Sequence, residues 1–479
     1  MRIYLSVLIA IALGQCAFSA VPSAKKSLTI SNLFSDYMVM QQKQKAAFWG
    51  EATPGTKLLI TASWGRQVSI TADDKGKWAA KLPTPGAGGP YNIGIKTADT
   101  TISIKDVLIG EVWLASGQSN MDISVSGWPP GDTIANSKQE IANANYPEIR
   151  FFKVPFGISA KPSDSTGGKW IASSPQTAGN FSATAYFYAR QLYQKLHVPI
   201  GIIQSSIGGT PAEAWTSKAG LEKLGDFNEV INNLDTLQRA KKLNSNTPTV
   251  LFNAMISPLI PYTIKGVIWY QGESNVGRAE QYKKLFPLMI EDWRNQWGEK
   301  LPFYYVQIAP YLYPAADQKE QSQKLRDAQR YALKLPKTGM VTTLDIGYLK
   351  TAHPPYKQEV GKRLAAFALK NEYGERELVA SGPLYKKATI KGNEIIIDFE
   401  STGSGLLASD KGLFNFEIAG DDKVYLKANA KIKDNKVVVS SDAVPNPVFV
   451  RYAWSDGSSA SLFNKEGLPA ATFTSEGDL

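Results

Sequence analysis

Residues 106–121 read "DVLIGEVWLASGQSNM". The segment 107–116 is a nearly continuous apolar run, the composition of a strand covered on both faces in a parallel sheet. It stops abruptly at Gly117-Gln118-Ser119-Asn120. A serine at the end of a buried strand is either a nucleophile or the cap of the next helix. Taken alone, Ser119 or Asn120 reads as a cap, because short polar side chains satisfy the free N–H groups of a first helical turn.

The pattern continues downstream. Residues 199–206 ("PIGIIQSS"), 265–271 ("KGVIWYQ"), 302–309 ("PFYYVQIA") and 340–347 ("MVTTLDIG") read as further strands. Between them lie amphipathic helices at 181–196, 279–296, 322–335 and 356–371. In the first, Phe181, Ala185, Tyr188 and Leu192 form one apolar stripe at steps of four, three and four. This alternation predicts an α/β layer structure with about five parallel strands over residues 106–372. Residues 21–105 read instead as short strands between "PGT", "DDKGK" and "PGAGGP" turns, a sandwich-like β-domain. From 373 to 479 alternating strands return, with "KGNE" and "KDNK" as hairpin turns, giving a C-terminal β-rich region.

The chain has 479 residues, too many for one ordinary core, and 43% hydrophobic with 20% charged residues is a globular composition. Residues 1–20, "MRIYLSVLIAIALGQCAFSA", read as a secretory signal peptide, which predicts a periplasmic or secreted protein. Cys16, the only cysteine, lies inside this segment. "LGQC" loosely resembles a lipoprotein box, but Gln15 fits it badly, so a cleaved signal is preferred over a lipid anchor. The rest of the chain therefore has no thiol for a disulfide, a metal or a nucleophile. No later segment is apolar enough for a membrane span. The net charge of +10 comes from scattered lysines, and no nucleic-acid motif accompanies it. Nothing in the sequence indicates a metal or other cofactor, and oligomeric state is not legible.

Open parallel sheets bind ligands at the carboxyl ends of their strands. Those ends carry "GQSN" (117–120), "IGGT" (207–210), "QGESN" (271–275) and "TAHP" (351–354). Ser119, Gly208 with Gly209, Gln271 with Glu273, and His353 are thus expected on one rim. These are the parts of an acyl-transfer site. A serine hydroxyl needs a base to remove its proton, and imidazole titrates in the right range. The tetrahedral intermediate needs preorganised donors: the N–H of Gly209, the amide of Gln271 or Asn275, and the N–H of Ser119 are candidates. Singly, the glycines read as a loop and Gln271 with Glu273 as a polar turn. There are only two histidines. His197 follows a helix and suits a structural cap, which leaves His353 as the base.

At these residues the sequence resembles the sialate O-acetylesterase family, a branch of the SGNH hydrolases. "GEVWLASGQSNM", "VIWYQGESN", "DIG…HPPYKQEVGKRLA" and "VRYAWSDG…LFNKEGLPAATF" carry the resemblance, in that order, over nearly the whole chain after the signal segment. It implies an SGNH-type, flavodoxin-like three-layer domain flanked by β-domains. It further implies a cofactor-free serine esterase removing O-acetyl groups from carbohydrates, with an acetylated glycan as its partner. Ser119 is then nucleophile and His353 base. Ser119, Gly209 and Gln271 supply the oxyanion hole, and Asn120, Gly208, Glu273 and Asn275 support or bind substrate. Acetyl esters of sialic acids, the 9-O-acetyl form first, are the implied substrates, with acetylated xylan or pectin as alternatives.

One departure stands out. SGNH enzymes commonly place an Asp two or three residues before the histidine, where this chain has Thr351 and Lys350. A backbone carbonyl could orient His353, or Asp345 or Glu273 could fold into place. A noncatalytic glycan-binding relative is the alternative of a different class. A two-carboxylate glycosidase is a third, unsupported by any singled-out acidic pair.

Overall fold

The computed structural model describes residues 28–477; the signal-peptide reading of residues 1–20, with Cys16, lies outside the described residues. The strand that opens the sequence reading is longer than expected, Thr101–Gly117 (β1), and every residue from Val107 to Gly117 is buried. The boundary expected at 105–106 therefore falls within an unbroken strand. The first half of β1 pairs antiparallel with Gly88–Lys96, and its middle pairs parallel with Val39–Gln41. Lys77–Pro83, in which buried and exposed residues alternate strictly, lies in a second, three-stranded N-terminal sheet. Phe48, Trp78 and Leu82 of that sheet share a core with Ile60, Ile93 and Ile104 of the first.

The second half of β1 lies inside the α/β layer. It is followed by β2 (Tyr146–Lys153), helix α1 (Ala183–Leu196), β3 (Ile200–Ser206) and β4 (Gly266–Tyr270). Helix α2 (Ala279–Trp297), β5 (Phe303–Val306), β6 (Thr338–Val341) and helix α3 (Lys357–Glu372) complete it. The sheet order is β2-β3-β1-β4-β5-β6, and every one of these neighbouring pairs is parallel. Trp170–Ser173 adds an antiparallel edge strand beside β2. Among the described residues the α/β layer thus has six parallel strands, where about five were expected, besides Val39–Gln41, which pairs with the middle of β1. The sixth, β2, escaped notice because "YPEIRFFK" mixes Pro, Glu and Arg with its apolar residues. The segment expected as a strand over 340–347 contributes only Met340 and Val341; residues 342–347 have already left the sheet.

Two features of this arrangement position the site. The order reverses at β1, with β3 on one side and β4 on the other, and ligands bind at such switch points. In addition the strands finish level: Ser206 pairs with Gly117, Gly117 with Tyr270, Tyr270 with Val306, and Val306 with Val341. Gly117 is required there, since at φ +137° a Cβ would meet the Tyr270 carbonyl oxygen at 2.1 Å.

Helix α1 begins at Ser182, whose Oγ accepts the N–H of Ala185 at 3.1 Å, and ends at His197 in the left-handed cap conformation. Helix α3 lies against it so closely that a Cβ on Gly361 would fall 2.6 Å from the Phe187 Cβ. The helix expected over 322–335 is helical in Ser322–Arg330 and tightens to a 3₁₀ turn in Tyr331–Lys334. Among the described residues no helix is long and apolar enough to cross a membrane.

Beyond α3 the chain forms antiparallel sheets. Lys391 pairs with Glu394 and Lys433 with Lys436 across the two expected hairpin turns. Asp434 and Asn435 both take positive φ, the geometry of the tight turn that matches strand twist. The C-terminal strands are fastened to the α/β layer by polar groups. Buried Arg326 donates to Thr472 Oγ1 and the Ser455 carbonyl, and Asp456 accepts from the N–H and hydroxyl of Ser322. Burial lowers the Arg326 guanidinium to about 10, offset in part by Tyr313, Asp456 and Glu320.

Candidate active site

Past the level row of strand ends, the chain turns sharply. The N–H of Gln118 donates to the Tyr270 carbonyl, and its side-chain oxygen accepts the N–H groups of Gly272 and Ser274. This ties the loops after β1 and β4 together. Ser119 then opens a one-turn helix, Ser119–Asp122, and is 7% exposed. Its Oγ lies 2.8 Å from His353 Nε2. His353 stands on the loop between β6 and α3, 234 positions away in the chain. The two groups selected from sequence are in hydrogen-bonding contact.

The other face of the imidazole supplies what the sequence left open. His353 Nδ1 lies 2.6 Å from Asp132 Oδ2. The remaining Asp132 oxygen accepts the Thr351 hydroxyl at 2.7 Å, and Thr351 Oγ1 accepts the N–H of His353 at 3.0 Å. Thr351, where an acid was expected, thus holds the acid that comes from elsewhere. Burial pushes the Asp132 carboxyl upward, but hydrogen bonds from Thr351 and His353, with the charges of His353 and Lys357, outweigh this and hold it below its usual range. The acid is therefore ionised at neutral pH. A hydroxyl, an imidazole and an ionised carboxylate in a row can activate the hydroxyl as a nucleophile and stabilise the imidazolium that forms.

Asp345 and Glu273, the carboxylates considered for this role, are engaged differently. Asp345 forms a two-pronged ion pair with Arg363 at 2.8 and 2.5 Å. Glu273 accepts Asn120 Nδ2 at 2.5 Å, and its other oxygen is buried with no partner among the described residues. Burial pushes its carboxyl up; its own backbone N–H, Asn120 and nearby His353 and Lys357 pull it back only partly.

Asn120 is the clamp of the site. It is fully buried, donates to Glu273 and to the Ala352 carbonyl at 2.8 Å, and accepts Lys357 Nζ at 2.7 Å. Lys357 donates also to the Pro354 carbonyl at 2.6 Å. Carbonyls on either side of His353 are thereby fixed.

Two turn residues and the first helical residue present free donors. The N–H of Ser119 begins a helix and has no acceptor within it, and those of Gly208 and Gly209 have no acceptor among the described residues. Gly208 is the glycine that lies against Ser119: a Cβ built on it would sit 3.5 Å from the Ser119 Cβ, whereas one on Gly209 would touch nothing within 4 Å. Gln271 does not join these donors. It is completely buried, and its amide donates to the Thr210 carbonyl at 3.2 Å and to Asn275 Oδ1 at 2.7 Å. Both of its N–H groups are thus spent on the loops after β3 and β4. Asn275 is committed likewise, accepting the N–H of Ala212 and donating to Glu213 at 3.0 Å. Glu213 in turn pairs with Arg278 at 2.8 Å.

A family model described as carbohydrate esterase, sialic acid-specific acetylesterase, matches residues 109–370, a span that includes Ser119, Asp132 and His353. The chain belongs to this family. The sialate O-acetylesterase of Mus musculus is 31% identical over 435 residues, covering 76% of this chain and 77% of the mouse protein. The Homo sapiens protein of the same name is 29% identical over 476 residues, covering 90% and 89%. Among solved structures, a carbohydrate acetylesterase from Xanthomonas citri superposes with a TM-score of 0.85 at 37% identity, covering 94% of this chain and 100% of that one.

Two residues of the esterase's site escaped sequence reasoning altogether. Asp132 and Trp128 both lie in "GWPPGD", 127–132, inside a long loop without helical or strand period. The indole of Trp128 stands edge-on to the His353 ring, with centroids 5.4 Å apart. The one available signal was negative: with Thr351 in place of an acid, the group that orients His353 has to come from elsewhere, a backbone carbonyl or another carboxylate. Nothing in the sequence said which segment.

Proposed function

We propose that this carboxylic ester hydrolase is a serine carbohydrate O-acetylesterase with Ser119 as nucleophile, His353 as general base and acid, and Asp132 as the orienting acid. The observation that carries the reading is the unbroken row from Ser119 Oγ to His353 at 2.8 Å and on to Asp132 at 2.6 Å. Ser119 Oγ attacks the acetyl carbonyl carbon as His353 Nε2 takes its proton. The oxyanion is met by the N–H of Ser119 and N–H groups of the Gly208–Gly209 turn. Collapse breaks the bond to the sugar oxygen, which receives the proton from His353 and leaves as the free hydroxyl. Water, deprotonated by His353, then attacks the acetyl-serine and releases acetate.

O-acetylated sialic acids, 9-O-acetyl esters first, are the proposed substrates, in keeping with the family and with the names of the mammalian relatives. Acetylated plant polysaccharide such as xylan or pectin is the second reading, favoured by the 37%-identical Xanthomonas citri relative, described more broadly as a carbohydrate acetylesterase. The parallel layer fits an SGNH-type domain over 106–372, between an N-terminal β-domain (21–105) and a C-terminal β-region (373–479). Export to the periplasm or beyond, directed by residues 1–20, belongs to the same proposal. The test is acetate release from acetylated sialic acids, xylan and pectin by the wild type and by Ser119→Ala. Release that survives the substitution, or none from any substrate or from an aryl acetate, overturns the esterase reading. Loss of turnover by at least about three orders of magnitude is expected.

A further inference from the structure

We propose that Trp128 closes a slot one methyl group wide beside Ser119, making the indole the residue that restricts the acyl group to acetyl. The inference rests on the esterase reading above and concerns the acyl side of the same site.

The slot is defined by its walls. A carbon placed at the Cβ position of Gly208 would lie 3.5 Å from the Ser119 Cβ and 3.8 Å from Trp128 Cη2. Both are ordinary van der Waals contacts, so Ser119 and the indole are at most about 7 Å apart there, room for no more than a single carbon layer. Glycine at 208 puts no side chain of its own between them. An acyl group on Ser119 Oγ that directs its alkyl end into this gap finds space for a methyl, and a longer chain meets the indole. His353 borders the same space, since the indole stands edge-on to it at 87°.

The main chain that carries the indole is held by two backbone hydrogen bonds. The N–H of Trp128 donates to the Asp132 carbonyl at 2.8 Å, and the N–H of Asp132 donates back to the Trp128 carbonyl at 3.2 Å. One short turn therefore presents the acid to the imidazole and the wall to the acyl group. Trp128 is nevertheless 36% exposed, so its far face is not packed into the core. Its replacement should open the slot without collapsing the fold.

The experiment measures kcat/KM for aryl acetate, propionate and butyrate in the wild type, Trp128→Ala, Trp128→Phe and Ser119→Ala. The wild type should prefer acetate over butyrate by about a hundredfold, the scale on which a tight pocket rejects extra methylenes. Trp128→Ala should lower that ratio by at least about tenfold, with Trp128→Phe between. The ratio within each variant is independent of how much folded, active enzyme is present, so partial destabilisation does not obscure it. A wild type indifferent to chain length, or an acetate-to-butyrate ratio unchanged in both Trp128 variants, overturns the slot. Aryl acetate turnover that persists in Ser119→Ala overturns the esterase reading instead.

Discussion

Two polar clusters lie side by side at the same row of strand ends, and they are built in opposite ways. Ser119 and Asp132 both lie between β1 and β2, while His353 comes from 234 and 221 positions further along the chain; His353 and Asp132 are each about one-fifth exposed, and the row opens toward solvent. Gln271, Asn275 and Glu213 come from the loops after β4 and β3, are buried, and spend their hydrogen bonds on one another and on Thr210 and Ala212. Both clusters hold the residue types that catalysis uses. What separates them is the direction of their free groups. The first has an oxygen and N–H groups left for a substrate, and the second has almost nothing left. One cluster keeps polar groups free to meet a substrate, and the other fixes the loops on which they ride.

The comparison breaks most visibly at the acid. Asp132→Asn should retain the fold but reverse the donor and acceptor facing His353 Nδ1, which favours the wrong tautomer. In related triads that exchange lowers turnover by about 10⁴. Steady-state kcat on an acetyl ester, with the unfolding midpoint as control, checks it; a loss below about tenfold would mean that Asp132 does not orient the imidazole.

At the second cluster the expected effects change sides. Gln271→Ala leaves the Thr210 carbonyl without its donor in a dry interior and Asn275 Oδ1 with that of Ala212 alone, a loss of about 1–3 kcal/mol in unfolding free energy. Activity should fall only as far as the Gly208–Gly209 turn is loosened. Were the Gln271 amide an oxyanion donor, the split would reverse: kcat about a hundredfold lower at unchanged stability. Denaturant unfolding and kcat measured on the same preparation decide between them.

Thr351 joins the two modes, a scaffold residue acting directly on the acid. Thr351→Val removes the hydroxyl that donates to Asp132 and accepts from the His353 N–H. One lost charge-assisted bond of this kind corresponds to about a tenfold fall in kcat. Thr351→Ser should restore it, and failure of the serine to do so would refute the positioning role.

How far the sequence reached follows from the same distinction. β1 and β4 were legible because both faces are buried, and burial on both faces leaves an apolar run that no loop imitates. Ser119 and His353 could be paired because each follows a strand of one sheet, and the sheet brings strand ends together. Asp132 follows no strand. It reaches the imidazole from 221 positions away in a loop tied to the His353 segment by tertiary contacts, such as the Thr351–Asp132 bond and the Ala135 N–H donated to the Pro355 carbonyl. Gln271 shows a related limit: its place at a strand end was visible, but not the direction of its amide, which Asn275 and Thr210 decide.

The remaining effect expected is a slope with pH. Burial lowers the Lys357 ammonium to about 7, and the charges of Glu273 and Asp132 offset only part of this. In the unfolded chain a lysine binds its proton up to about pH 10.4. Between pH 7 and that value the unfolded state holds a proton that the folded state has lost, so stability contributed through Lys357 rises with pH across the window. Below pH 7 both states are protonated and the whole burial penalty is present. Lys357→Met removes the titration but also leaves Asn120 Oδ1 and the Pro354 carbonyl without a donor, a loss that does not vary with pH. The variant should therefore compare best with the wild type below pH 7 and progressively worse toward pH 10. Thermal midpoints of both proteins across that range read the difference directly. A difference constant with pH would mean that Lys357 keeps its proton in the fold and that Asn120 is clamped by an ammonium at every pH tested.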